Sequence, residues 1–277
     1  MDWRIEQAIR VMEQQMDENV CFATLARRLG LSTTRFHHLF AAETGMPPGA
    51  YLRRIRLDAA AIRLRWTRDT VGQISMRLGY ASQASFTQAF VRRFGCTPLQ
   101  FRRRFRASLT PEGKVAAFGP IGVREVDGFA LLTKRYTGDL YAVRGYWRDF
   151  EDSLRRCGVR RHGALFIGLM YDDPRHTPVE QLRYDCGVTI LGRFDLDEDR
   201  LARHGLHLFS TRPGRYACLR FTGPRTAVFG AYQSLCDHWA RESRFTVTDD
   251  PALEVHAVPR HHMDPHDLSF TLMLALE

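Results

Sequence analysis

No apolar run in the 277 residues approaches the roughly 20 that a membrane span needs, which excludes a spanning helix. The opening stretch MDWRIEQAIRVMEQQM sets Ile5, Ala8, Ile9, Met12 and Met16 at helical spacing between charges. That pattern predicts a folded amphipathic helix in place of a secretion signal, and the expected location is the cytoplasm, at the nucleoid. The six cysteines (Cys21, Cys96, Cys157, Cys186, Cys218 and Cys236) include no CxxC and no close pair. They argue against a disulfide framework or a structural zinc and read as small buried hydrophobes in a reducing compartment. Nothing in the sequence supplies a nucleophile triad, a phosphate loop or a metal cluster, so no cofactor, no metal and no catalytic residue is expected. His261, His262 and His266 with Asp264 stand at irregular spacing among prolines and read as a solvated loop.

Lysine is missing from the first 106 residues, which carry 18 arginines against 8 acidic residues. Beyond them, 22 basic and 23 acidic residues nearly cancel, so the net charge of +9 belongs to the first third of the chain. A basic segment joined to a neutral one predicts a polyanion partner for the first and another task for the second. The charge shift coincides with a stretch rich in Gly, Pro and small residues. The expected domains are therefore 1–106 and 122–277, with a linker at 107–121.

Each part repeats itself. In the first, LGLSTTRFHHLFAAETGMPPGAYLRR recurs as LGYASQASFTQAFVRRFGCTPLQFRR, with Phe40 answering Phe90, Gly45 answering Gly95, Pro48 answering Pro98 and Tyr51 answering Phe101. Each copy predicts a short helix (about 23–29 and 71–78), a glycine turn, and a second helix capped by Ser32 or Ser82 and closed at Gly45 or Gly95. A spacer helix over roughly 49–66 joins these two helix-turn-helix motifs. In the second part, RYTGDLYAVRGYWRDFEDSLRR at 135–156 aligns with RFTGPRTAVFGAYQSLCDHWAR at 220–241, and DDP at 172–174 recurs at 249–251. LRYDC at 182–186 falls where LEVHA falls at 253–257. The expected fold is an all-α N-terminal domain followed by an α+β domain of two pseudo-symmetric β-α-β-β units.

Residues 15–106 resemble the DNA-binding domain of the AraC/XylS family, whose signature runs here from Gly79 to Arg102 with Phe101 where tyrosine is common. Residues 122–277 resemble the GyrI-like effector-binding domain, and the order of the two is that of Rob-type regulators. The resemblance implies a transcription regulator, an activator that contacts RNA polymerase, with no membrane partner and no enzymatic activity.

On the second helix of the second motif, Phe86, Ala89, Phe90 and Phe94 form one apolar stripe and leave Gln83, Ala84, Thr87 and Gln88 outside it. Gln pairs bidentately with adenine, Thr serves either edge and Ala packs on the thymine methyl, so this uncharged face suits base reading in a major groove. Thr34, Arg35, His37 and His38 take the equivalent face of the first motif. Ser32, Ser82, Arg53, Arg54, Arg92, Arg102, Arg103 and Arg104, at helix ends or just after the signature, are the expected phosphate contacts. With two motifs in one chain, a monomer is expected to reach two successive major-groove segments about 34 Å apart on double-stranded DNA.

For the second domain the resemblance implies a small organic effector, aromatic or cationic, and an acidic residue at Glu254. Alternation places His256 on the same face as Glu254, and Tyr146, Trp147, Tyr171 and Trp239 are candidate walls. Three alternatives stay open. The internal repeat makes Arg183 the counterpart of Glu254, so the two would form an ion pair in place of a ligand site. The domain would otherwise act as a hydrolase of reactive small molecules with Glu254 as base, or bind a protein partner without any small ligand.

Overall fold

The computed structural model describes residues 2–16, 18–108, 118–175, 177–190, 197–239 and 245–277, in two compact units, Met1–Thr110 and Pro111–Glu277. Of the expected linker, 109–117 lie outside the described residues.

The described part of the first unit is helical: α1 (Trp3–Gln14), α2 (Phe22–Arg28), α3 (Thr33–Thr44), α4 (Pro48–Trp66), α5 (Val71–Arg77), α6 (Gln83–Phe94) and α7 (Pro98–Ser108). Helices α3 and α6 begin alike. The Ser32 hydroxyl accepts the Arg35 N–H at 3.2 Å and that of Ser82 accepts the Ser85 N–H at 3.1 Å. Both end at a left-handed glycine, Gly45 at φ 74° and Gly95 at φ 70°, a conformation that costs glycine no Cβ clash.

The duplication extends to the packing. Phe36 and Phe40 lie 5.6 Å apart between ring centroids, as do Phe86 and Phe90. Phe40 meets Tyr51 edge-on at 5.4 Å, and Phe90 meets Phe101 the same way at 5.3 Å. Helix α4 serves both copies. Its Tyr51, Leu52 and Ile55 enter one apolar cluster with Ile5, Met12, Phe36 and Phe40, whereas Leu57, Ala60 and Leu64 enter the other with Ile74, Phe86 and Phe90.

Where α4 passes from one cluster to the other stands Asp58, 7% exposed, which accepts the Arg93 Nε–H at 2.8 Å and lies 3.5 Å from the Arg54 guanidinium. It anchors α6 to α4. Asp58→Ala should leave Arg54 buried without a counter-charge and lower the stability of this unit by about 3–5 kcal/mol, read as a loss of helical circular dichroism at lower urea.

The second unit holds β1 (Ile121–Val126), β2 (Ala130–Thr137), α8 (Val143–Arg156), β3 (Phe166–Met170), β4 (Arg183–Thr189), α9 (Glu198–Arg203), β5 (His207–Ser210), β6 (Gly214–Gly223), α10 (Val228–Gln233, continued by a wider π turn over Ser234–Trp239), β7 (Ala252–His256) and β8 (Leu268–Ala275). The strands form one antiparallel sheet in the order β1-β6-β8-β7-β3-β4-β2-β5. Read outward from the middle, β3-β4-β2 mirrors β7-β8-β6, so the two β-α-β-β units meet at the β3/β7 pair.

One alignment needs correction. LRYDC lies on β4, whose counterpart is β8, while LEVHA lies on β7, whose counterpart is β3. The residue facing Glu254 across the central pair is therefore Gly168, and Arg183 does not meet Glu254. Arg183 donates instead to Asp172, through Nε at 2.9 Å and through a terminal nitrogen at 2.6 Å.

Candidate functional site

The duplicated turns of the first unit decide which side chains of α3 and α6 stay outside. On α6, Gln83, Ala84 and Gln88 are exposed and Thr87 is partly so, while Phe86 and Phe90 are fully buried. On α3, Thr34, Arg35, His37 and His38 are exposed around the buried Phe36 and Phe40. The side chains expected to read bases thus share one outward side of each helix.

The arginines divide differently from expectation. Arg53, Arg92, Arg103 and Arg104 are exposed, as are the capping Ser32 and Ser82. Arg54 is buried beside Asp58 with its guanidinium 4.6 Å from the Tyr51 ring centroid, so it is an internal ion pair and not a phosphate contact. Arg102 donates to the carbonyls of Leu64 at 2.9 Å and Asp69 at 2.6 Å, which ties α7 to the end of α4 and engages the side chain internally.

In the second unit Glu254 is completely buried on β7. Its Oε2 accepts the Tyr184 hydroxyl at 2.8 Å and an Arg260 N–H at 2.8 Å, and its Oε1 accepts the Tyr232 hydroxyl at 3.1 Å. The Trp147 indole N–H in turn donates to the Tyr184 oxygen at 3.3 Å. The ring of His256 lies between Trp147 and Phe270, with centroids 5.9 and 4.9 Å away. Of these side chains, those of Trp147, Tyr184, Glu254 and His256 are fully buried, and Tyr232 is the partly exposed one. Neither ring nitrogen of His256 has a hydrogen-bond partner among the described residues; Nε2 stands 3.6 Å from Glu254 Oε2.

Space for this cluster comes from a missing side chain. A Cβ added at Gly168 would overlap the Tyr184 hydroxyl and stand 3.0 Å from Glu254 Oε2. Burial pushes the Glu254 carboxyl up, but the Arg260 charge, aided by His256 and Tyr184, outweighs it and holds the group at about 2. Burial raises the Tyr184 and Tyr232 hydroxyls, and the nearby Glu254 charge raises them further. His256 is lowered by burial despite Glu254, which keeps the ring neutral at pH 7. A carboxylate this acidic is a poor general base at neutral pH.

The structure brings Glu254, His256 and Trp147 together as expected, but not the other walls. Tyr146 stacks on Tyr136 at 4.7 Å and bonds to the Asp139 carbonyl at 3.1 Å. The Tyr171 hydroxyl donates to Asp185 at 2.9 Å, and the Arg135 guanidinium lies over its ring at 4.2 Å. The side chain of Trp239 lies outside the described residues. Sequence reasoning missed Gly168, Tyr184, Tyr232, Arg260 and Phe270. Of the stretch read as a solvated loop, His262, Asp264 and His266 are exposed, but His261 lies 2.9 Å from the buried Glu151, and Arg260 just before it is buried on Glu254.

Because Glu254 titrates lower in the folded chain than its ordinary 4.5, the stability it contributes is present above about pH 4.5 and lost as the pH falls toward about 2. Urea denaturation across that window should show a slope that flattens in Glu254→Gln.

The model of a helix-turn-helix domain matches residues 25–104, and that of the GyrI-like small-molecule-binding domain matches residues 123–276. The HTH-type transcriptional regulator Rv1931c of Mycobacterium tuberculosis is 40% identical over 29% of this chain and 31% of its own length. The HTH-type transcriptional activator RhaR of Mannheimia succiniciproducens is 30% identical over 37% of each. The regulatory protein SoxS of Escherichia coli K12 is 33% identical over 36% of this chain and 94% of its own. The chain thus spans about a third of the length of the first two and nearly all of the third. It belongs to the AraC-type family of helix-turn-helix regulators and carries a GyrI-like small-molecule-binding domain.

Proposed function

We propose that the chain is a sequence-specific transcription regulator whose two helix-turn-helix motifs read DNA and whose C-terminal unit binds a small effector at the Glu254 cluster. The observation that carries the DNA reading is the pair of matched helices, α3 and α6, each burying two phenylalanines and leaving no carboxylate among the outward residues of its first two turns. Gln83, Ala84, Thr87 and Gln88 on α6, with Thr34, Arg35, His37 and His38 on α3, contact base edges in two successive turns of the major groove. Helix α4, at 19 residues, spans about 28 Å and spaces the two motifs within one chain. A monomer therefore suffices for a bipartite site. Arg53, Arg92, Arg103 and Arg104 supply phosphate contacts, joined by Ser32 and Ser82 at the helix starts. The relative RhaR is named an activator, and activation through contact with RNA polymerase is the sign of regulation proposed here.

The effector reading rests on His256. A buried imidazole whose Nδ1 has no hydrogen-bond partner among the described residues and whose Nε2 meets Glu254 only at 3.6 Å, set between aromatic rings, is a site short of one hydrogen-bonding group. A small aromatic ligand with a polar or cationic group supplies it. Arg260 already neutralises Glu254, so a cationic ligand has to displace the Arg260 guanidinium.

Gln83→Ala or Gln88→Ala should cost about 1–3 kcal/mol on the preferred site and relax preference at one or two base pairs. Arg103→Ala should weaken operator and random DNA alike and lower the salt dependence of binding. Equal losses on both DNAs for the two glutamines would remove base reading from α6. For the effector, lipophilic cations should raise the melting temperature of the wild type and raise that of Arg260→Ala further, but leave Glu254→Gln unmoved. No shift with any compound in any variant would favour a protein partner for this unit.

A further inference from the structure

Apart from the Glu254 cluster, the second unit gathers Glu151 of α8 with His261 and His262, which lie on the turn Arg260–His262. Glu151 Oε2 lies 2.9 Å from His261 Nε2 and 3.4 Å from His262 Nε2, and the three donor atoms lie within 4.8 Å of one another. Arg161 pairs with the other oxygen of Glu151, and Arg144 donates to the His261 carbonyl at 3.0 Å. The carboxylate and the turn are thus each held in place by a residue outside the three.

We propose that Glu151, His261 and His262 bind a divalent transition-metal ion, zinc fitting best. The donor set of two imidazole nitrogens and one carboxylate oxygen suits zinc and its neighbours, not magnesium or calcium, which take oxygen alone. An ion about 2.1 Å from each donor separates adjacent donors by roughly 3.0 Å at a right angle and roughly 3.4 Å at a tetrahedral one, which the two observed separations match. Arg161 fixes the carboxylate as an outer partner of a metal ligand does. His262 is 53% exposed while Glu151 and His261 are about nine-tenths buried, so the ion enters from the His262 side and keeps water there. Since Arg260 precedes the two histidines, the bound ion also fastens the turn that inserts Arg260 against Glu254.

The test is titration of the full chain, kept folded and with its exposed Cys21 alkylated, with Zn²⁺ and Co²⁺. One equivalent of Zn²⁺ should bind, and Co²⁺ should give visible d–d bands without a thiolate charge-transfer band. His262→Ala, which changes an exposed side chain and leaves the fold intact by circular dichroism, should weaken binding at least tenfold. Glu151→Gln should do the same, and His266→Ala should bind as the wild type does. Absence of a stoichiometric site, or binding unchanged in His262→Ala, would overturn the proposal and leave the three residues as an ion-paired cluster.

Discussion

A carboxylate without solvent must be neutralised where it stands, and the centre of the second unit is organised around that requirement at Glu254. Its partners come from three places far apart in sequence: Tyr184 on β4, Tyr232 on α10 and Arg260 on the turn after β7. They can converge only because the sheet is closed at its middle by β3 and β7. A pseudo-symmetric pair of strands would place equivalent side chains opposite each other at that seam. Here the two sides of the seam differ, and at its centre a carboxylate on β7 faces a glycine on β3, since any side chain at Gly168 would occupy the place of the Tyr184 hydroxyl. The duplication built the frame, and the site exists where the two halves differ.

The first unit meets the same electrostatic constraint with opposite bias. It is rich in arginine, and part of that charge is spent inside the fold. Arg54 and Arg93 converge on Asp58, Arg102 holds the end of α4, and Arg56 donates to the carbonyls of Met16 and Glu18, each at 2.7 Å. A planar fork with several N–H donors serves a carbonyl, a buried carboxylate or a phosphate equally well. Net charge therefore points to the domain proposed to meet DNA without showing which arginines are available for phosphate. Exposure shows which are available: Arg53, Arg92, Arg103 and Arg104 face outward, whereas Arg54 and Arg102 are engaged within the fold.

What the sequence made legible was local or repeated. Serine caps, closing glycines and phenylalanine spacing are written within one helix, and two copies fifty residues apart turned weak patterns into an architecture. Strand alternation likewise put Glu254 and His256 on one face, as found. The failures concern contacts across strands. LRYDC and LEVHA look alike in composition, but the length of the connections assigns them to different places in the two repeats, and no periodicity within either segment records that register. Tyr184 and Gly168 were invisible for the same reason, because their role depends on which strand lies beside them. Arg260 was hidden by its setting, a proline- and histidine-rich stretch whose composition is that of a solvated turn.

That turn links the two clusters of the second unit. Arg260 points to Glu254 on β7, and the next two residues point to Glu151 on α8. In a chain where a guanidinium fills the place beside a buried carboxylate, the closed state is already satisfied, so a ligand gains only the difference between its own contacts and those of Arg260. Leaving Glu254 requires Arg260 to move, and three consecutive residues of one tight turn do not move independently. For the cationic effector proposed above, which has to displace Arg260, whatever strengthens the hold of Glu151 on His261 and His262 would oppose its entry, and its binding would loosen that hold by the same free energy. The affinity for such a ligand would then depend on how firmly this turn is fastened at its other end.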